Sequence, residues 1–211
     1  MSASIRIKVC GLTEPAGARA AREAGADFLG IVFAPGSPRR LDPARAAALV
    51  ARVPAAWVGV FVDPVPSDVA RIAGALELAA VQLHGDESPD RCREIRAAAG
   101  VPVWKALGPG AGPLEDWAEA VDAVLLDSGA GGGRPLPWRD LAARLERRRP
   151  AVPLFLAGGL EASNVAEAIA VLAPDGVDAS SRLERSPGLK DPARVRAFVA
   201  AARAAWAPAA R

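Results

Sequence analysis

Ile5-Arg6-Ile7-Lys8-Val9-Cys10-Gly11-Leu12-Thr13 reads as a β-strand that ends in a cysteine, turns on a glycine and hands over to a helix. A thiol at the carboxyl end of a parallel strand sits where α/β folds gather their chemistry. On position and residue type alone, two readings of Cys10 stand side by side. It is a small buried hydrophobe, the usual fate of a free cysteine, or it is a reacting group.

Outward from that stretch, short apolar runs alternate with longer alanine-rich, arginine-studded segments. The runs are 5–10, 28–33, 57–62, 80–83, 101–106, 123–127, 154–157 and 176–179. Mostly Val, Ile, Leu or Phe, they suit strands covered on both faces. The segments between them place apolar residues at helical spacing, as in Val69, Ile72, Ala73 and Leu76, or Val165, Ala168, Ile169 and Leu172. Thr13-Glu14-Pro15, Asp42-Pro43, Pro66-Ser67-Asp68, Ser88-Pro89 and Asp191-Pro192 each combine a capping side chain with an early proline, the mark of a helix start.

Eight strand–helix pairs at roughly even spacing predict an α/β fold, a single (β/α)8 TIM barrel with eight parallel strands. One domain is expected over residues 1–211, with a frayed tail at about 207–211. An open doubly wound sheet would carry Gly-x-Gly-x-x-Gly after its first strand, where this chain has Cys10-Gly11-Leu12-Thr13. The Pro/Gly-rich segments 108–113 and 129–137 read as loops over one barrel face.

With 211 residues, 51% of them hydrophobic and 24% charged, the chain can bury a sizeable core and stay soluble. Basic and acidic residues are interspersed and the net charge is only +2, which is no nucleic-acid footprint. Arg147-Arg148-Arg149 ends a helical pattern, where cations complement the negative helix terminus. Two cysteines and one histidine make neither a disulfide framework nor a metal-ligand spacing, so no cofactor or metal is expected. No signal peptide or bilayer-length segment is visible, so a reducing cytoplasmic setting without a membrane partner is the default. A monomer and a homodimer fit the sequence equally.

In a barrel, the strand ends and the loops after them build the site. They supply Cys10, Arg39, Asp63, Gln82 with His84, Lys105, Asp127, Gly158-Gly159 and Ser180-Ser181. Cys10 and Asp127 can move protons, with His84 third. Gly158-Gly159, before a helix opened by Ser163-Asn164, and Ser180-Ser181 one unit later lie where barrels bind phosphate. Arg39 is a candidate carboxylate clamp. His84 reads as a substrate contact or as the orienter of the loop Gly85-Asp86-Glu87, and Cys92 as packing within a helix.

Several blocks stand in the order of one family. They are Lys8-Val9-Cys10-Gly11-Leu12-Thr13, Phe33-Ala34-Pro35-x-Ser37-Pro38-Arg39, Gln82-Leu83-His84-Gly85-Asp86-Glu87 and Leu126-Asp127-Ser128. Further on come Ala157-Gly158-Gly159-Leu160, Val177-Asp178-x-Ser180-Ser181-x-x-Glu184 and Pro187-Gly188-x-Lys190-Asp191. Together they resemble phosphoribosylanthranilate isomerase over nearly the whole chain. The resemblance implies a (β/α)8 barrel of tryptophan biosynthesis and a phosphosugar–anthranilate substrate. The reaction it implies is an Amadori rearrangement without metal or cofactor.

By matching position, Cys10 would be the general base, Asp127 the general acid and Arg39 the contact to the anthranilate carboxylate. Gln82 and His84 would touch substrate, and Gly158, Gly159, Ser180 and Ser181 would hold the phosphate. Unperturbed, a thiol would be the acid and a carboxylate the base. The implied roles therefore need Lys8 or nearby backbone N–H groups to favour the thiolate, and apolar walls to favour a protonated Asp127. Two positions depart from the family pattern. Ala130-Gly131-Gly132-Gly133 replaces Gly-Gly-Thr-Gly, and Arg182 follows the serine pair where glycine is usual. Arg182 would add a cation at the phosphate or alter the turn. Other phosphosugar barrels fit less well: a metal-dependent pentulose-phosphate epimerase needs paired histidines, and indole-glycerol-phosphate synthase an N-terminal extension. Bifunctional histidine/tryptophan isomerases have Asp at the position of Cys10, and a barrel that only binds a phosphate ligand has no use for the Cys10–Asp127 pair.

Overall fold

Parallel pairing runs from strand to strand around a full circle and closes when the last strand meets the first, giving a closed eight-stranded barrel. The computed structural model describes residues 4–206 apart from 109, 111, 128–137, 139, 140, 143, 144 and 146–148. The strands are β1 (Arg6–Val9), β2 (Phe28–Val32), β3 (Trp57–Phe61), β4 (Ala80–Leu83), β5 (Val103–Leu107), β6 (Ala123–Leu126), β7 (Leu154–Leu156) and β8 (Gly176–Ala179). Each falls within or close to one of the apolar runs of the sequence.

Helices α1 (Pro15–Glu23), α2 (Pro43–Arg52), α3 (Pro66–Leu76), α4 (Pro89–Ala99), α5 (Val165–Leu172) and α6 (Pro192–Ala205) lie outside the barrel. Five of them begin on proline, which fixes φ and gives up an N–H that the first turn leaves unpaired anyway. Asp42, Ser88 and Asp191 cap α2, α4 and α6 by accepting backbone N–H bonds of 2.8–3.3 Å. The expected cap at Thr13 is absent. The cap position of α1 is Glu14, without a side-chain bond, and the Thr13 hydroxyl donates instead to Gly188 O at 2.5 Å. At α3 the cap position is Val65, also without one.

Two connections depart from a regular strand–helix repeat. Between β5 and β6 a 3₁₀ turn (Leu114–Trp117) replaces an α-helix. Gly108, Pro109, Gly110, Gly112 and Pro113 leave too little helix-competent chain there. Leu114 still reaches the core, with Trp117 packed against it. After β8 the chain makes a 3₁₀ turn (Ser181–Leu183) and an antiparallel hairpin, β9 (Glu184–Ser186) with β10 (Leu189–Lys190), before α6. Gly188, at φ +83°, makes the hairpin turn possible. Between β6 and β7, Trp138, Leu141 and Leu145 are helical and buried. The loop with Ala130-Gly131-Gly132-Gly133, Ser128, the tail 207–211 and the residues Arg147 and Arg148 lie outside the described residues. Arg149 caps the C-terminus of α5, donating to Leu172 O at 3.3 Å and Ala173 O at 2.6 Å.

The core has two layers. Outward-facing Ile7, Val9, Ile31 and Leu83 pack against the helices, while Val58, Trp104, Leu125 and Phe155 fill the barrel. Trp104 stacks on Phe155 at 4.8 Å and meets the edge of Phe28 at 4.9 Å. These rings fill the barrel below its carboxyl end.

Candidate active site

The mouth holds a cavity of about 350 Å³. Cys10, Arg39, Gln82, His84 and Asp127 line it, and so do Gly158, Gly159, Ser180, Ser181 and Arg182. The structure thus brings the candidate proton-transfer, carboxylate-binding and phosphate-binding residues into one space. Lys105 and Asp63, also strand-end residues, are not in it. Lys105 points outward to Glu87 (2.6 Å) and Gly85 O (2.5 Å), while Asp63 Oδ1 accepts from Asp86 N at 2.8 Å. With Glu87 accepting from Asp63 N at 2.8 Å, these residues hold the loop after β4.

Cys10 follows β1 directly. Its N–H donates to Ala179 O (2.9 Å), and its own carbonyl accepts from Ser180 Oγ (3.1 Å). The side chain is buried against Val32, Ala34 and Val60. Gly30 of β2 makes its place: a methyl carbon there would stand 2.7 Å from Cys10 Sγ. Burial pushes the thiol up from its ordinary value, while Lys8 and, more weakly, Lys190 pull it down. The other cysteine, Cys92, is fully buried in α4, and burial pushes it up to about 11. Both thiols are free.

Asp127 follows β6, tied to β5 by its N–H to Leu107 O at 2.9 Å. His84 Nε2 lies 3.8 Å from its Oδ2, so the lone histidine faces the carboxylate. Beneath them, Gln82 Oε1 is buried with no hydrogen-bond partner among the described residues.

Arg39 is not a solvated loop arginine. Glu184 takes its Nε (2.7 Å) and Nη2 (2.8 Å) in a bidentate pair. Fully buried Lys190 donates to the same carboxylate at 2.7 Å. Against the cost of burial, those donors hold the Glu184 carboxyl below its ordinary value. Gly11, at φ +71°, lets Arg39 lie across it; a side chain at that position would collide with Arg39 Cδ.

Gly158 (φ +83°) and Gly159 (φ +69°) both occupy the left-handed region, so the loop after β7 needs glycine at each. Asn164 braces it, donating from Nδ2 to Gly159 O and accepting Glu161 N at Oδ1, both at 2.9 Å. The Ser180 hydroxyl is engaged by Cys10 O and by Lys190 Nζ (3.4 Å), leaving backbone rather than side chain to meet an anion.

Sequence reasoning did not place Asp178, Glu184 or Lys190 in the site. Asp178 lines the cavity, pairs with Lys8 at 2.6 Å, and keeps Oδ1 buried without a hydrogen-bond partner among the described residues. A period-two reading of Lys8-x-Cys10 and Asp178-x-Ser180 would have put all four on inward faces. Among the described residues, no group of three His, Cys, Asp or Glu side chains is placed to hold a metal, and no helix is long and apolar enough to cross a membrane.

Chemically, the cavity offers a thiol and a carboxyl on separate strands, a cationic corner at Arg39 and a glycine loop for an anion. The family described as N-(5'phosphoribosyl)anthranilate (PRA) isomerase matches residues 7–201. The N-(5'-phosphoribosyl)anthranilate isomerase of Paracoccus denitrificans is 42% identical, over 95% of this chain and 98% of that protein. The crystal structure of TrpF from Jonesia denitrificans is 39% identical with a TM-score of 0.84, covering 97% of this chain and 100% of that one. A phosphoribosyl anthranilate isomerase crystallised with reduced 1-(o-carboxyphenylamino)-1-deoxyribulose 5-phosphate is 34% identical, with a TM-score of 0.81 over 95% of this chain and 99% of that one.

Proposed function

Because the chain belongs to the N-(5'-phosphoribosyl)anthranilate isomerase family, we propose that Cys10 and Asp127 are the base and acid of its reaction. The enzyme converts N-(5-phosphoribosyl)anthranilate into 1-(2-carboxyphenylamino)-1-deoxyribulose 5-phosphate, an Amadori isomerisation in tryptophan biosynthesis. The observation that carries the assignment is the single cavity shared by Cys10, Asp127, Arg39 and the Gly158-Gly159 loop.

Asp127, steadied by His84, gives a proton to the ring oxygen as the C1–O bond breaks, leaving an iminium ion at C1. The Cys10 thiolate removes the C2 proton, and those electrons form the enolamine. A proton then adds at C1 while the C2 hydroxyl loses one, giving the ketone. Arg39, held on its Nε and Nη2 side by Glu184, turns its Nη1 side to the aryl carboxylate. Val32, Ala34 and Val60 form an apolar wall for the ring. Backbone N–H groups of 158–159 and 180–181 take the phosphate, with Arg182 beside them. Asp178 Oδ1 and Gln82 Oε1 lack hydrogen-bond partners among the described residues and suit sugar hydroxyls.

Following the fluorescence of freshly prepared phosphoribosylanthranilate tests the reading. Cys10→Ser and Asp127→Asn are each expected to lower kcat by roughly 10²–10⁴-fold, with the reduced product analogue still bound. Turnover near wild type in either variant would overturn that residue's role.

A further inference from the structure

Lys8 and Cys10 stand two residues apart at the end of one strand and so project from the same face, into the barrel. Lys8 is fully buried a layer below the thiol. In β8, Asp178 is its direct cross-strand partner, and Lys8 Nζ donates to Asp178 Oδ2 at 2.6 Å. The acid–base steps at Cys10 and Asp127 call on neither charge of this pair. Packing does not account for it either: the rest of the barrel filling is Val, Ala, Leu, Trp and Phe, and apolar replacements of a buried ion pair are commonly as stable or more so. What the pair does achieve is to fix an ammonium ion under the thiol.

We propose that Lys8, held in place by Asp178, is a positioning residue that stabilises the thiolate of Cys10 and so makes a cysteine serviceable as the base. The proposal rests on the reading of Cys10 as that base. Four charged groups act on the sulfur or feel its charge: Lys8 from its own strand, Asp178 from β8, Lys190 from β10 and Arg39 from the loop after β2. Burial pushes the thiol up, and Lys8 is the strongest influence in the other direction. Lys190 acts more weakly, its ammonium engaged by Glu184 and Ser180. Lys8 is held above its ordinary value: burial works against its charge, but Asp178 and Cys10 outweigh that. It therefore stays cationic throughout the working range.

The two members of the pair act on the thiol with opposite sign, and that gives the test. In the full-length enzyme, the alkylation rate of Cys10 by iodoacetamide is followed against pH, reading the Cys10 peptide by mass spectrometry. The pH profile of kcat/KM is measured in parallel. Lys8→Met is expected to move the titration of Cys10 upward by about 1 pH unit or more, the size of an adjacent opposite charge. At neutral pH that lowers alkylation and kcat roughly tenfold, while the reduced product analogue stays bound. Asp178→Asn is expected to move it downward, because it removes a carboxylate and frees Lys8 to pair with the sulfur.

A purely structural ion pair would give both variants the same kind of loss, and shifts of equal sign, or none, would overturn the proposal. So would a Lys190→Met variant that moves the titration when Lys8→Met does not. Should Lys8→Met fail to fold, Asp178→Asn decides alone: an upward or absent shift overturns the idea. Failure of the parent reading looks different. Full turnover by Cys10→Ser would remove Cys10 as base, whatever Lys8 does to the alkylation of the thiol.

Discussion

Gly30 shows how a residue without a side chain can set chemistry. It lies in β2, beside the strand that carries Cys10, and its missing methyl is the space the thiol occupies. A Cβ at that position would stand 2.7 Å from Sγ, 3.0 Å from Cys10 Cα and 3.2 Å from its Cβ. Two of those atoms are not the tip of a flexible chain, so the strain has to move Cys10 bodily. Gly30→Ala is expected to cost about 1–3 kcal/mol of stability, the range for overpacking, and to lower kcat at least tenfold, since small misplacements are expensive at reacting atoms. Steady-state kinetics at a temperature where the variant is fully folded, checked by denaturant titration, would show it. Wild-type kcat in a folded Gly30→Ala enzyme would mean that the thiol position is not critical.

At the scale of an element, the hairpin of β9 and β10 matters most. It carries Glu184 at its start and Lys190 at its end, and so delivers an anion to Arg39 and a cation to the site interior. Its presence also explains Gly17 of α1, whose missing side chain leaves room for Lys190, a Cβ there standing 3.0 Å from Lys190 Cβ. Glu184→Gln removes the charge and one acceptor oxygen, leaving Arg39 loosely held and Lys190 buried without its anion. KM is expected to rise roughly tenfold, about 1.4 kcal/mol of lost binding, with a smaller change in kcat. Stability is expected to fall by about 3–5 kcal/mol, the usual result of breaking a buried pair from one side. The pH dependence follows from the direction of the shift. Because folding holds the Glu184 carboxyl low, its stabilisation is complete above the unfolded value of about 4.3 and is lost as pH falls through the lower folded value. Asp42 and Asp191, held low by the helix N–H groups they cap, slope the same way. Wild-type Tm should therefore be level from pH 8 to pH 5 and fall in stronger acid, with the gap to Glu184→Gln narrowing there; a constant gap down to pH 3 would contradict this account.

Over the whole molecule, the barrel was readable because its signals are local. Eight apolar runs and five early prolines announce their elements within a few residues each. Cys10, Asp127 and the glycine pair were readable for the same reason, since strand ends converge in this fold. Lys8 with Asp178, and Arg39 with Glu184, were not: each pair joins residues more than 140 positions apart, and only the closing of β8 on β1 and the hairpin beyond it bring them together. The same closure depends on a clasp far from the mouth. Arg203 of α6 donates to Ile5 O, to Gly25 O at 2.9 Å and to Asp27 Oδ2 at 2.8 Å. That carboxylate oxygen also accepts Ile7 N at 2.7 Å. One guanidinium thus fastens the last helix to the first strand and to the turn after α1, at the closed end of the barrel. Arg203→Ala is expected to cost about 1–3 kcal/mol, from charged hydrogen bonds lost to groups that water partly reaches, and to lower Tm by several degrees. Because the clasp lies below the aromatic plug and the site above it, kcat and KM at 25 °C should not change. Urea denaturation beside steady-state kinetics separates the two quantities, and a loss of turnover in a fully folded Arg203→Ala enzyme would show that the closed end of the barrel governs the open one.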